Sequence, residues 1–271
     1  MQITERIAKL RSLMSSNGID AYIVPTADFH QSENTGAYFK CREYISGFDG
    51  SYGTVVIAKE DAGLWTDGRY WTQAEKQIAG SGIRLFHMFE SGVPTMEEYL
   101  ADTLPENGKN AFGGRVVSMG EGEVLEKALA PKNIQIEYSC DLIGDIWENR
   151  PAISGEPTFI LDEKYSGESV ASKLARVRES MKENGASAHI IASLEDIAWL
   201  TNMRGGDISY DPLFFAYALL TLESMNLYID EKKLNEEAKA ILAANNIVLK
   251  PYNDIYEAVK QLQPGESVMF D

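Results

Sequence analysis

The sequence predicts an α/β protein of two tandem domains, each a mixed β-sheet flanked by helices. Three observations carry that prediction. Apolar stripes at helical spacing alternate with short apolar runs that read as strands, starting with Ile3, Ile7, Leu10 and Met14 ahead of Ala21-Tyr-Ile-Val24. The same order returns 167 positions later, where Leu174, Val177 and Met181 stand for Ile7, Leu10 and Met14. Finally, 271 residues suffice for two domains that each bury a core.

The first helix covers residues 3–16, and Asn17-Gly18 stops it because both tolerate a left-handed cap. Ala21 to Val24 is a strand ended by Pro25, and a polar loop with Asp28-Phe-His30-Gln-Ser-Glu33 runs to Gly36. Cys41 to Ile45 is a short helix leading into a glycine-rich loop, Ser46-Gly-Phe-Asp-Gly-Ser-Tyr-Gly53. A hairpin follows, with Thr54 to Ala58 and Leu64 to Thr66 as its strands and Asp61-Ala-Gly63 as its turn. Tyr70, Trp71, Ala74 and Ile78 then take up helical spacing. Strands at 83–86, 110–112 and 134–138 alternate with helices at 96–104, 122–130 and 142–147 to complete a first domain, residues 1–150.

Pro151, Gly155, Pro157 and Gly167 mark residues 151–167 as a linker, and a second domain is expected over 168–271. Within it Asn184-Gly185 repeats Asn17-Gly18, and Ala188-His-Ile-Ile191 repeats Ala21-Tyr-Ile-Val24. Tyr217 to Leu220 stands for Thr54 to Ile57, Leu227 to Asp230 for Leu64 to Asp67, and Gly265 to Phe270 for Gly108 to Phe112. A period this long signals duplicated domains, and the first copy continues for roughly forty residues past the point where the second stops. The natural polypeptide is therefore expected to continue past Asp271, and the second sheet to have an open edge prone to self-association.

The net charge of −16 argues against binding a phosphate backbone. The longest apolar run, Leu213 to Leu222, is about half of the roughly 20 residues a membrane helix needs. No apolar leader segment is visible, and two cysteines, Cys41 and Cys140, are too few for a disulfide framework. Reduced thiols in the cytoplasm are expected.

Candidate chemistry is sparse. Gly50-Ser51-Tyr52-Gly53 lacks the glycine two before the serine that a nucleophile elbow requires, and there is no Walker A loop. His30 and Glu33 would share one helical face, yet two ligands make a poor metal site. His87 and His189 read as partly buried structural histidines. Asp67-Gly68-Arg69-Tyr70 is the strongest candidate: an arginine at a hairpin exit beside aromatics suits clamping a carboxylate or pairing across an interface. A local salt bridge with Asp67 is the equal alternative. Arg204-Gly-Gly-Asp207 reads as a structural, glycine-bent loop.

Taken in order, several segments resemble the N-terminal region of the Xaa-Pro aminopeptidases of the creatinase/prolidase family. They are Asp28 to Glu33, Ser46 to Ser51, Trp65 to Tyr70, Gln73-Ala74, Ile146-Trp147, Arg150-Pro151, Asp196 to Leu200, Asn202 to Gly205 with Asp207, and Pro212 to Phe215 with Tyr217. The resemblance implies two creatinase-type N-terminal domains of ribonuclease H-like appearance, followed by a catalytic pita-bread domain absent from this chain. In that domain two divalent metals, commonly manganese, activate water to cleave peptides with proline at the second position. It implies a cytoplasmic homodimer whose N-terminal domains pack on the catalytic domain and restrict access to its active site. No catalytic or metal residue carries over to residues 1–271. The candidates for access or interface roles are Asp28, His30, Glu33, Arg42, Phe48, Asp49, Arg69 and Tyr70. Two alternatives stand beside this reading: a binding or regulatory module that lost the enzyme, and the N-terminal part of a prolidase- or creatinase-like hydrolase.

Overall fold

A computed structural model describes residues 2–270. The chain divides into two units between Ala152 and Ile153. Among the described residues no helix is long and apolar enough to cross a membrane.

The first unit is a six-stranded sheet, β1 (Ala21–Pro25), β2 (Thr54–Ala58), β3 (Ala62–Thr66), β4 (Arg84–His87), β5 (Lys109–Ala111) and β6 (Gln135–Glu137), in the order β4-β3-β2-β1-β5-β6. The pairs β1/β2 and β2/β3 are antiparallel, whereas β3/β4, β1/β5 and β5/β6 are parallel. Both faces are covered. Tyr22, Val24, Val55, Ile57 and Leu64 point to one face and pack with α1 (Ile3–Ser16), α2 (Cys41–Ser46), α3 (Trp71–Gln77) and, later in the chain, residues 142–146. Ile23, Val56, Trp65 and Phe86, the alternate residues, pack with α4 (Met96–Thr103) and α5 (Met119–Leu129) on the other. The helix at Leu142–Ile146 is α6. Both α4 and α5 open with a capping box, Thr95 with Glu98 and Ser118 with Glu121, which satisfies N–H groups that the helix itself leaves bare.

The second unit holds a two-stranded pair, β7 (Phe159–Ile160) with β9 (Met203–Arg204), and a five-stranded sheet. The sheet comprises β8 (Ala188–Ile191), β10 (Ala216–Thr221), β11 (Met225–Ile229), β12 (Ile247–Lys250) and β13 (Val268–Phe270), in the order β12-β11-β10-β8-β13. Its helices are α7 (Glu163–Ser166), α8 (Val170–Glu183), α9 (Leu194–Thr201), α10 (Glu236–Ala244) and α11 (Ile255–Lys260). The stretch 151–167, read as a linker, thus carries structure of its own. β7 pairs antiparallel with β9, and the Thr158 N–H and hydroxyl both donate to the Lys233 carbonyl. Two- and four-residue elements are too short to leave a periodic trace among prolines and glycines.

The duplication extends to single side chains. Val24 pairs with Val55 as Ile191 pairs with Ala218, and Val55 with Leu64 as Ala218 with Leu227, so the repeat aligned from sequence is also the repeat in register. Arg11 Nε donates to the Ala58 carbonyl at 2.9 Å, and Arg178 Nε, 167 positions on, donates to the Thr221 carbonyl at 3.0 Å. Asn17 Nδ2 and Asn184 Nδ2 each return to a carbonyl of the preceding helical turn at 2.8 Å. Arg6 donates to the Tyr44 carbonyl and lies over its ring, and Lys173 does the same at Trp199.

Candidate functional site

The predicted residues gather where β1 and β3 end and β2 begins. Thr26, just past β1, donates its N–H and its hydroxyl to the Gly53 carbonyl, which ties the 26–36 loop to the loop entering β2. Asp28 is fully buried and turns that loop by accepting the N–H groups of His30 at 2.8 Å and Ser32 at 3.1 Å on Oδ1. With Gln31 at φ +56°, the segment cannot be helical. The shared helical face expected for His30 and Glu33 therefore does not form: His30 is buried and Glu33 is exposed.

At the end of α2 the chain closes on itself. Ser46 Oγ donates to the Arg42 carbonyl and accepts the Phe48 N–H. The Arg42 guanidinium reaches back to the carbonyls of Phe48 (2.9 Å) and Gly50 and stacks over the Phe48 ring at 4.5 Å. Burial lowers its pKa to about 10, so it stays charged at neutral pH and braces the loop from inside. Phe48 is fully buried and meets the Tyr70 ring edge-on at 5.9 Å. Tyr70 Oη shares a 2.6 Å hydrogen bond with Ser51 Oγ.

Asp49 and Arg69, like Glu33, are exposed charges. Asp49 Oδ1 accepts from Gln77 and Gln73 of α3, at 2.7 and 2.6 Å. The Gln77 bond, assisted by Gln73, holds the Asp49 carboxyl below its usual range. Arg69 makes a two-pronged salt bridge to Asp67, Nε to Oδ1 at 2.9 Å and Nη2 to Oδ2 at 2.8 Å. That bridge raises the Arg69 pKa, and the Glu33 carboxylate adds to the effect. The local salt bridge weighed from sequence therefore exists, and the Arg69 side chain is still largely open to solvent, at 65%.

The structure thus brings Arg42, Phe48, Asp49 and Tyr70 into one packed cluster, sets Arg69 and Glu33 within electrostatic reach of each other, and turns Asp28 and His30 inward beside them. Gln77 went unrecognised; its spacing of four from Gln73 on a helix was the available signal. His87 is exposed on β4, where the sequence suggested partial burial; its ring is stacked on Trp71 at 4.4 Å. His189 is half-buried on β8. Arg204 donates to the carbonyls of Ala198 and Met203, and Asp207 is buried against Lys233, so that loop serves the fold. Among the described residues no three His, Cys, Asp or Glu side chains converge as a metal site. These residues do not fit a pair of metal ions.

Two profiles of the creatinase/prolidase N-terminal domain match the sequence, at residues 6–141 and 149–271. Aminopeptidase P2 of Arabidopsis thaliana is 39% identical over 99% of this chain and 39% of its own length. The probable Xaa-Pro aminopeptidase P of Neurospora crassa is 39% identical over 94% of this chain and 37% of its own. The crystal structure of the X-prolyl aminopeptidase from Caenorhabditis elegans, described as a cytosolic enzyme with a di-nuclear active site, matches with a TM-score of 0.91 at 31% identity. That match covers 96% of this chain and 44% of that one. The chain spans about two fifths of the length of these relatives. With both of its units matched, the chain belongs to the creatinase/prolidase N-terminal domain family and carries two such domains in tandem.

Proposed function

We propose that this chain is the non-catalytic N-terminal region of a cytoplasmic, metal-dependent Xaa-Pro aminopeptidase, which removes the residue preceding proline from short peptides. The observation that carries the reading is the fit, at TM-score 0.91 over 96% of the chain, to a protein described as a di-nuclear X-prolyl aminopeptidase. In this reading the two metals, manganese by expectation, and the catalytic residues belong to a further domain of the same polypeptide, and the whole enzyme is a homodimer. The first unit contributes a rigid rim to the active-site entrance. The exposed charges Glu33, Asp49 and Arg69 face the incoming peptide or the neighbouring domain. The buried Asp28, His30, Arg42 and Phe48 fix the loops that carry them, and Tyr70 joins the two sets. Pre-set loops of this kind select substrates at small entropic cost.

The test pairs two proteins. The purified 271-residue chain, given manganese and an Xaa-Pro-Pro peptide, is expected to show no turnover and no stoichiometric metal; turnover with bound metal would overturn the reading. The longer polypeptide should cleave the same peptide, and Arg69→Ala in it should impair turnover or assembly. Unchanged kinetics together with an unchanged oligomeric state would remove Arg69 from the rim.

A further inference from the structure

The sheet of the first unit grows in both directions from β1. β2, β3 and β4 are added on one side, and β5 and β6 on the other. β1, β5 and β6 are parallel, so their carboxyl ends open together. The chain leaves β1 toward α2 on one face and leaves β5 toward α5 on the opposite face. Diverging loops at such a switch point leave a crevice, which is where open α/β sheets bind small ligands.

A cavity of about 290 Å³ lies at this place. Ala27 and Phe29 enter its wall after β1, Gly114 and Arg115 after β5, and Tyr138 after β6. The wall is close-built: a Cβ on Gly114 would fall 2.7 Å from the Tyr138 carbonyl oxygen. It is also largely apolar and aromatic, with Tyr38 and Phe39 each packed edge-on against Phe29. An apolar void of roughly 150 Å³ accepts one benzene ring, so this one has room for a ring with a short side chain or for two fused rings.

Its charge is opposite to that of the chain. Two guanidiniums, Arg115 and Arg150, and one carboxylate, Asp141, reach the lining of a protein whose net charge is −16. Arg150 is committed to the wall: it pairs with Asp141, donates to the Tyr38 carbonyl at 2.9 Å and lies over the Tyr38 ring at 3.7 Å. That pairing neutralises the carboxylate. Arg115 is exposed and lies 3.6 Å above the Phe29 ring, so a positive charge stands beside an aromatic face at the crevice.

We propose that this crevice is a binding site for a small planar carboxylate, with its ring on the aromatic wall and its acid group at Arg115. The proposal does not depend on the peptidase reading. The test is calorimetric titration of the 271-residue chain with phenylacetate, indole-3-acetate and 2-naphthoate, each beside its neutral amide. Charge-assisted pairing should make at least one acid bind about tenfold or more tightly than its amide. Arg115→Gln, at an exposed position, should abolish that preference with the far-UV spectrum unchanged. Ala27→Leu, which fills the cavity, should abolish binding of acid and amide alike, with an unchanged far-UV spectrum showing that the chain is folded. The proposal is overturned if no acid binds in the millimolar range, if acid and amide bind equally, or if Arg115→Gln keeps the preference.

Discussion

Gly50 measures how tightly the loop ahead of β2 is packed. A Cβ there would overlap the Phe48 ring and come within 2.8 Å of Tyr70 Cδ1, while the Gly50 carbonyl is already held by Arg42. Phe48 cannot retreat, because it is fully buried and covered by the Arg42 guanidinium. Gly50→Ala should therefore destabilise the first unit by about 1–3 kcal/mol, the usual cost of overpacking. Gly68→Ala is the control, since its Cβ would meet only Trp71 at an ordinary 3.6 Å. Thermal melting followed by tryptophan fluorescence separates the two, and equal midpoints would show that the loop yields. At this scale the sequence was half legible. Arg69 beside Asp67 could be read as a pair from their spacing alone. Arg42 could not be read as a buried brace, because arginine is seldom fully buried and nothing local marks the two carbonyls it holds.

Among elements, the loop from β9 to β10 shows an ion pair acting as a fastener. Asp207 Oδ2 accepts the Phe215 N–H at 2.7 Å and the Lys233 ammonium at 2.5 Å, with both side chains almost wholly out of water, at 0% and 3% exposure. The lysine sits in a 3-10 turn, Glu231–Lys233, just past β11, so the pair joins the entry to one strand of the hairpin to the exit from the other. Lys233→Ala would strand a buried carboxylate, and such losses cost about 3–5 kcal/mol. Hydrogen exchange of β10 and β11 amides is the measurement; a loss below about 1 kcal/mol would mean that water enters and solvates Asp207. Elements themselves were legible wherever a pattern ran long enough. The stripes of α1 and α8 span 14 residues each, whereas β7 and α7 have two and four. The crevice at the end of β1 was invisible for another reason. Its wall is collected from segments near residues 25, 40, 114, 140 and 150, and no local window contains it.

Over the whole molecule the duplication sets the two sheets in correspondence, strand for strand. β5 lies between β1 and β6, and β13, its counterpart, pairs with β8 in the same parallel sense. Among the described residues no strand lies on the outer side of β13, and Phe270 on that strand is 79% exposed. An apolar edge with unpaired backbone groups is a template for another strand. The 271-residue chain should therefore self-associate reversibly, with an apparent mass that rises with concentration in light scattering behind gel filtration. Phe270→Lys places a charge on the edge without touching the buried core, and should shift the chain toward monomer while leaving its melting temperature unchanged. A wild-type chain that stays monomeric across the accessible concentration range would mean that the edge is already covered. A Phe270→Lys chain that associates as strongly as wild type would place the contact elsewhere, and the open strand would then play no part in assembly.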